Sequence, residues 1–236
     1  MPVISTRLSG ESGFTLIEML VAILTGMIVM GATFSIMDIS LSQSARIADR
    51  VSADQRGRIA MEKILLELHS SCVSIGANPI QPGSEGARIK FLSQTGPEPS
   101  FATMTKHEIF LEEGTLKDYS YKNTGGSEAT KWTFLGAIPT TTTLLTGVSQ
   151  SAEGVTPVFE YFKYETAGEK KGQLSTTPLP VPLGIPEAKA TAKVTISFTT
   201  APESSNKKGD RLVDLSDSVV LRLTPSAEIG GNEPCE

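Results

Sequence analysis

The chain has 236 residues, 26 acidic against 21 basic side chains, a net charge of −5 and 39% hydrophobic residues. The acidic balance disfavours broad attraction to nucleic-acid phosphates. The two cysteines, Cys72 and Cys235, lie too far apart for any metal-ligand spacing.

Near the amino terminus, the six residues Gly13-Phe14-Thr15-Leu16-Ile17-Glu18 stand at the edge of an apolar run, 19–37, that carries no charge. As a helix that run reaches about 28 Å, close to the hydrocarbon thickness of a bilayer. A secretory signal places its small-residue cleavage site after the apolar stretch. Here the small residue, Gly13, comes before it. A cut after Gly13 would discard 1–13, whose only base, Arg7, is offset by Glu11, and keep the apolar helix as the new amino terminus. An acidic residue inside a membrane segment costs about 2.5 to 3.5 kcal/mol on insertion scales, so Glu18 needs a reason. After such a cut Phe14 carries a free, positively charged amine, and Glu18 lies four residues along the same helical face, about 6 Å deeper. The two charges can neutralise each other.

Residues 38–72 contain no Pro and one glycine, Gly57, and read as a continuation of the same helix beyond the membrane. Met61, Ile64, Leu65, Leu68 and Cys72 form one apolar stripe where a globular head would clasp it. Arg50, Asp54, Arg58 and Glu62 alternate in sign at four-residue steps, which suits a solvated face or a register between packed helices.

From Asn78-Pro79 onward the pattern changes to short alternating segments broken by Pro and Gly. Expected strands are 88–92, the hairpin 108–112 and 115–121 joined by Glu113-Gly114, a shorter segment at 131–135, and 157–164 with Phe159, Tyr161, Phe162 and Tyr164 as core. Thr140 to Thr143 reads as loop or edge strand. The clearest alternation sets Ala190, Ala192, Val194, Ile196 and Phe198 against Thr191, Lys193, Thr195 and Ser197, with 212–223 as its partner. Between these strands Pro178, Pro180, Pro182 and Pro186 interrupt regular pairing, so 168–186 reads as a surface loop. The expected class is therefore α+β: a long N-terminal helix packed on an antiparallel β-sheet head.

The chain holds no HExxH pair, no GxSxG elbow and no phosphate-cradling glycine loop, and its two histidines, His69 and His107, are isolated in sequence. Asp210, Asp214 and Asp217 lack EF-hand spacing. No enzyme activity, cofactor or metal site is expected. Cys235, next to the last residue, could tie the tail to Cys72 at the helix end, closing a loop of about 160 residues worth at most about 5 kcal/mol. The alternative is a buried Cys72 and a free Cys235.

The block 13–18 resembles the amino terminus of type IV prepilins and of the pseudopilins of type II secretion. The segments Met61-Glu62-Lys63-Ile64-Leu65-Leu66-Glu67-Leu68, Phe159-Glu160-Tyr161-Phe162 and Val219-Val220-Leu221-Arg222-Leu223 are most similar to minor pilins and J-type minor pseudopilins. That resemblance implies cleavage after Gly13 by a prepilin peptidase that also N-methylates Phe14, and pairing of Glu18 with the terminal amine of an adjacent subunit. It implies a leader at 1–13, a transmembrane half-helix at 14–37, an exported half at 38–73 and a β-rich head at 74–236. The implied partners are the peptidase/methyltransferase, other pilins or pseudopilins, an assembly-platform membrane protein and the lipid bilayer. The implied location is the cytoplasmic membrane, crossed once, with the head exported to periplasm or cell surface and a place at or near a filament tip. A membrane-anchored surface binding module, adhesive or DNA-capturing, shares these features, and the machine served is left open among secretion pseudopilus, motility pilus and competence filament.

Overall fold

A computed structural model of the chain describes residues 13–71, 78–94, 104–125, 133–150, 156–168, 171–202 and 212–221. Cys72 and Cys235 both lie outside these residues. The architecture is α+β, with a long N-terminal helix followed by an antiparallel β head. Helix α1 spans Leu16–His69, 54 residues without a proline. By its contacts the chain divides into two units, Met1–Ala48 and Asp49–Glu236.

In the first unit every described residue is exposed, including Leu20, Ile23, Leu24, Ile28, Val29, Phe34 and Ile36. The helix satisfies its own polar side chains. Thr25 Oγ1 donates to the Val21 carbonyl at 2.9 Å, Thr33 to Met30 at 2.8 Å and Ser35 to Gly31 at 3.0 Å. Such back-bonding leaves these hydroxyls no need of water, a requirement inside hydrocarbon.

The described residues of the second unit form eight strands. The first sheet runs β1 (Arg88–Gln94), β2 (Met104–Glu112), β3 (Thr115–Lys122) and β4 (Thr140–Thr146), each antiparallel to the next. The β2–β3 turn places Glu113 at φ 48° and Gly114 at φ 73°, the left-handed pair that a two-residue hairpin requires. The second sheet has β7 (Thr191–Thr200) at its centre. β6 (Phe159–Lys163) and β8 (Val213–Val220) both pair with its residues 193–196, so they occupy opposite edges. β5 (Val148–Ser149) lies on the β6 side, opposite Thr199 and Thr200. In β7 the expected alternation holds from Ala192 to Phe198, with Ala192, Val194, Ile196 and Phe198 buried and Lys193, Thr195 and Ser197 half-buried, whereas Thr191, expected on the open face, is buried.

Helix α1 seats on both sheets through Ala53, Gly57, Ala60, Met61, Ile64 and Leu68. The buried stripe thus begins two turns earlier than the large apolar residues suggest, because its first members are small. A Cβ on Gly57 would collide with Leu215 Cδ1 and sit 3.1 Å from Thr200 Cγ2, so the glycine sets how closely the helix approaches β7 and β8. Further along, Ile64 and Leu68 are fully buried with Phe91, Phe159, Tyr161, Phe198 and Ile196 in one core. Each such side chain contributes about 1.5 to 3 kcal/mol by leaving water.

Four expectations are corrected. Residues 168–186 are more than a surface loop. The amides of Ser175 and Leu179 donate to the carbonyls of Lys163 and Tyr161 at 2.8 and 2.7 Å, and Leu183 donates to Ser84 at 2.8 Å. The prolines fall between these donors, so the segment covers the outer edge of β6 without a regular ladder and buries Leu183. Residues 185–190 form a short helix, α2 (Ile185–Ala190), which takes Pro186 in its first turn, where no amide donor is needed, and removes Ala190 from the strand. The segment 131–135 is not a strand in its described part: Thr133 makes a single bridge to Gly125 before a turn at Gly136, φ 72°. Of the aromatic cluster, Phe159 and Tyr161 are core, while Phe162 and Tyr164 are half-buried on the other face, Phe162 under the Lys193 ammonium.

Tyr161 joins the sheets, its hydroxyl donating toward the carbonyls of Glu85 at 3.0 Å and Arg88 at 3.2 Å. Burial pushes this hydroxyl above the ordinary tyrosine range. The folded protein keeps a proton there that the unfolded chain releases, so the contribution is full below pH of about 10 and is lost as pH rises beyond it. Tyr161→Phe is expected to cost about 1 kcal/mol at neutral pH and to flatten the alkaline loss of stability, read from urea midpoints in detergent at pH 7 to 11. Gly57→Val is expected to cost about 1 to 3 kcal/mol of stability, seen as a lower urea midpoint, with Arg58→Ala on the solvent side as the neutral control.

Candidate functional site

Helix α1 starts immediately after the block singled out in the sequence. Gly13, Phe14 and Thr15 precede it in non-helical conformation, and Thr15 acts as N-cap, its Oγ1 accepting from the Glu18 amide at 3.3 Å while its carbonyl accepts from Glu18 and Met19 at 3.1 and 3.2 Å. Thr15 and Glu18 thus have the spacing of a capping box, and Glu18 falls in the first turn, where the helix dipole favours an anion. Among the described residues no side chain pairs with the Glu18 carboxylate. Phe14 is 77% exposed.

Gly13 has no conformational reason to be glycine. Nothing lies within 4 Å of a Cβ built on it, and its φ is not in the left-handed region. In that respect it is the opposite of Gly57, which the packing demands. Arg58, on the alternating row, does pair with Asp54, Nε to Oδ2 at 2.9 Å, one helical step apart. The pair raises the Arg58 pKa through the Asp54 hydrogen bond, and at a fully exposed side chain it adds little stability.

A second polar cluster escapes a reading of motifs. His107 on β2 is buried, stacked on Phe91 with centroids 5.2 Å apart, and its Nδ1 lies 3.1 Å from both oxygens of buried Asp118 on β3. A carboxylate only accepts, so Nδ1 is the donor. On the other side Nε2 is 3.7 Å from Glu67 Oε2 on α1. Two carboxylates flanking an imidazole can serve proton transfer in an open site. Here the side chains of His107 and Asp118 are 9% and 7% exposed, which closes them to a substrate. The arrangement instead anchors the end of α1 to the first sheet. Alternation offered a signal for it, since His107 shares a face with Ile109 and Leu111, and Asp118 with Leu116.

On the opposite face of this sheet Glu108 takes Arg88 Nη1 at 2.9 Å, and Arg88 also covers the Phe110 ring. Among the described residues no group of three His, Cys, Asp or Glu side chains is arranged to hold a metal ion. Asp214 and Asp217 are both exposed on β8, three residues apart and therefore on opposite faces, and Asp210 lies outside the described residues.

Among the described residues one helix, α1, is long and apolar enough to cross a membrane, with a mean hydropathy of 2.1 over its most apolar eighteen residues. No family model and no curated protein matches this chain. Among solved structures, one chain of the GspK-GspI-GspJ complex from the type 2 secretion system of enterotoxigenic Escherichia coli matches at 12% identity, covering 71% of this chain and 96% of that one, with a TM-score of 0.39. That score is too low for the likeness to carry an argument about this protein.

Asp118→Ala would leave a buried imidazole without its acceptor. The expected loss is about 1.5 to 3 kcal/mol, seen as a lower urea midpoint in the near-UV signal of the head, with Asp118→Asn recovering part of it.

Proposed function

We propose that this chain is a minor pilin-like or pseudopilin-like filament subunit, cut after Gly13, N-methylated on Phe14, held in the cytoplasmic membrane by the first part of α1 and assembled through that same helix. The observation that carries this reading is the unburied apolar surface of residues 13–48, which the head leaves uncovered and which a bilayer or neighbouring helices would cover. A separate core in the residues after Asp49 suits a head that folds outside the membrane.

The physical step is exchange of lipid contacts for helix contacts. Ala22, Gly26 and Thr33 line a shallow apolar groove with Val29 and Met30, and small residues let helices approach closely. In such a bundle an unpaired charge is costly, so the Glu18 carboxylate would accept the Phe14 amine of an adjacent subunit. Thr15 caps the helix and leaves Glu18 in its first turn, with Phe14 outside the helix and not on one helical face with Glu18 as the sequence suggested. Gly13, free of any steric or backbone demand, is consistent with a residue read by a processing enzyme. The prepilin peptidase/methyltransferase, an assembly platform and other subunits follow as partners, and a position at or near the tip follows from the size of the head.

Glu18→Ala is expected to leave membrane insertion and cleavage intact and to reduce incorporation into sheared filaments at least about tenfold, the loss of one well-placed buried charge pair. Normal incorporation would refute the pairing. Gly13→Val is expected to block processing, leaving a species thirteen residues longer by mass spectrometry.

A further inference from the structure

The four sheet edges of the head are treated unequally. The outer edge of β1 is covered by residues 79–81, with Gln81 donating to Lys90 at 2.8 Å and Leu92 to Pro79 at 2.9 Å. The outer edge of β6 is covered by the proline segment. The edge strand β8 carries Asp214 and Asp217, both exposed, and charge is a common guard of free edges. β4, the last strand of the first sheet, has no such guard. Among the described residues no backbone bond reaches Thr141 to Thr146 from any segment other than β3. No residue from Thr133 to Ala152 is charged, and no proline interrupts the strand.

Two large apolar residues flank this edge, Leu135 at 88% and Ile138 at 90% exposure. At the other end of the strand, Leu144 is half-buried and Leu145 and Val148 are buried. The irregularity between Leu116 and Lys117 leaves Leu144 without a Cα partner on β3, beyond the threonine run.

We infer that β4 is a pairing edge for a second copy of this chain, joined antiparallel about the run Thr140-Thr141-Thr142-Thr143 so that the two four-stranded sheets become continuous. The argument is self-complementarity. Two-fold pairing centred on Thr142 sets Thr141 opposite Thr143 of the other copy, and a one-step shift to Thr141 still sets threonine against threonine. Cross-strand threonine pairs are favourable. The same antiparallel arrangement carries the exposed Leu135 and Ile138 of each copy toward the half-buried Leu144 end of the other copy's strand, while Leu145 and Val148 stay in their own core. On a chain of net charge −5, an uncharged edge is also where two copies meet with least repulsion. The contact involves only the head and does not depend on membrane insertion, processing or the Glu18 pair.

The test is amide hydrogen exchange on the full chain in detergent micelles, followed by mass spectrometry from low to high micromolar protein. The β4 peptide is expected to slow at least about tenfold with concentration, while β8 peptides do not change. Thr141→Lys with Thr143→Lys places like charges opposite each other and is expected to abolish the slowing. Leu135→Ser with Ile138→Ser, which touches no buried residue, is expected to do the same without disturbing the fold. Exchange in β4 that is independent of concentration, while the chain still associates through its helix, would overturn the proposal. So would slowing that appears only when other filament subunits are added, or slowing that persists in both double variants.

Discussion

The close approach of the last five turns of α1 to both sheets is the contact on which the head is built. The helix contributes to the core shared by the two sheets with small residues first and large ones later. Gly57 admits Leu215 and Thr200 of the second sheet, Ile64 and Leu68 fill the centre, and Glu67 reaches His107 of the first. Small residues bring the backbone near the strands, and large ones fill the core. Tyr161 repeats the link from the opposite direction, by a hydroxyl that stays protonated because it is buried.

The exposed first part of α1 reverses this pattern. Its threonines and serine bond to their own helix, its glycines meet nothing, and its large side chains face outward. A soluble helix would place such residues against a core, and one facing hydrocarbon has no need to. The single ionisable group of the first turn, Glu18, gains a helix N-terminus, whose dipole lowers the cost of keeping an acid there without removing it. The residual cost is what gives a partner amine its value under the proposed assembly.

The polar features of the head are placed for cohesion. His107 and Asp118 satisfy one another under Phe91, the proline segment donates from Ser175, Leu179 and Leu183, and Ser84 accepts from Lys90 while donating to Gln81. In each case a group that would be costly to bury has a partner within hydrogen-bond distance. The β4 edge departs from this economy because its outer backbone groups have no partner from the described part of the chain.

Local patterns in the sequence were enough for the long helix, the hairpin at Glu113-Gly114, the alternating face of β7 and the apolar run with its acid at position 18. Each depends on neighbours within a turn or a strand, where periods of 3.6 and 2 are set by the backbone itself. The contact at Gly57, the burial of His107 between carboxylates from two other elements, and the pairing of the proline segment with β6 were settled by tertiary structure. These depend on residues tens of positions apart, and no local period records which surface will arrive opposite. Composition alone read Gly57 as a tolerated helix residue and 168–186 as a loop. In the fold the glycine leaves room for Leu215, and the amides of Ser175 and Leu179 close a sheet edge.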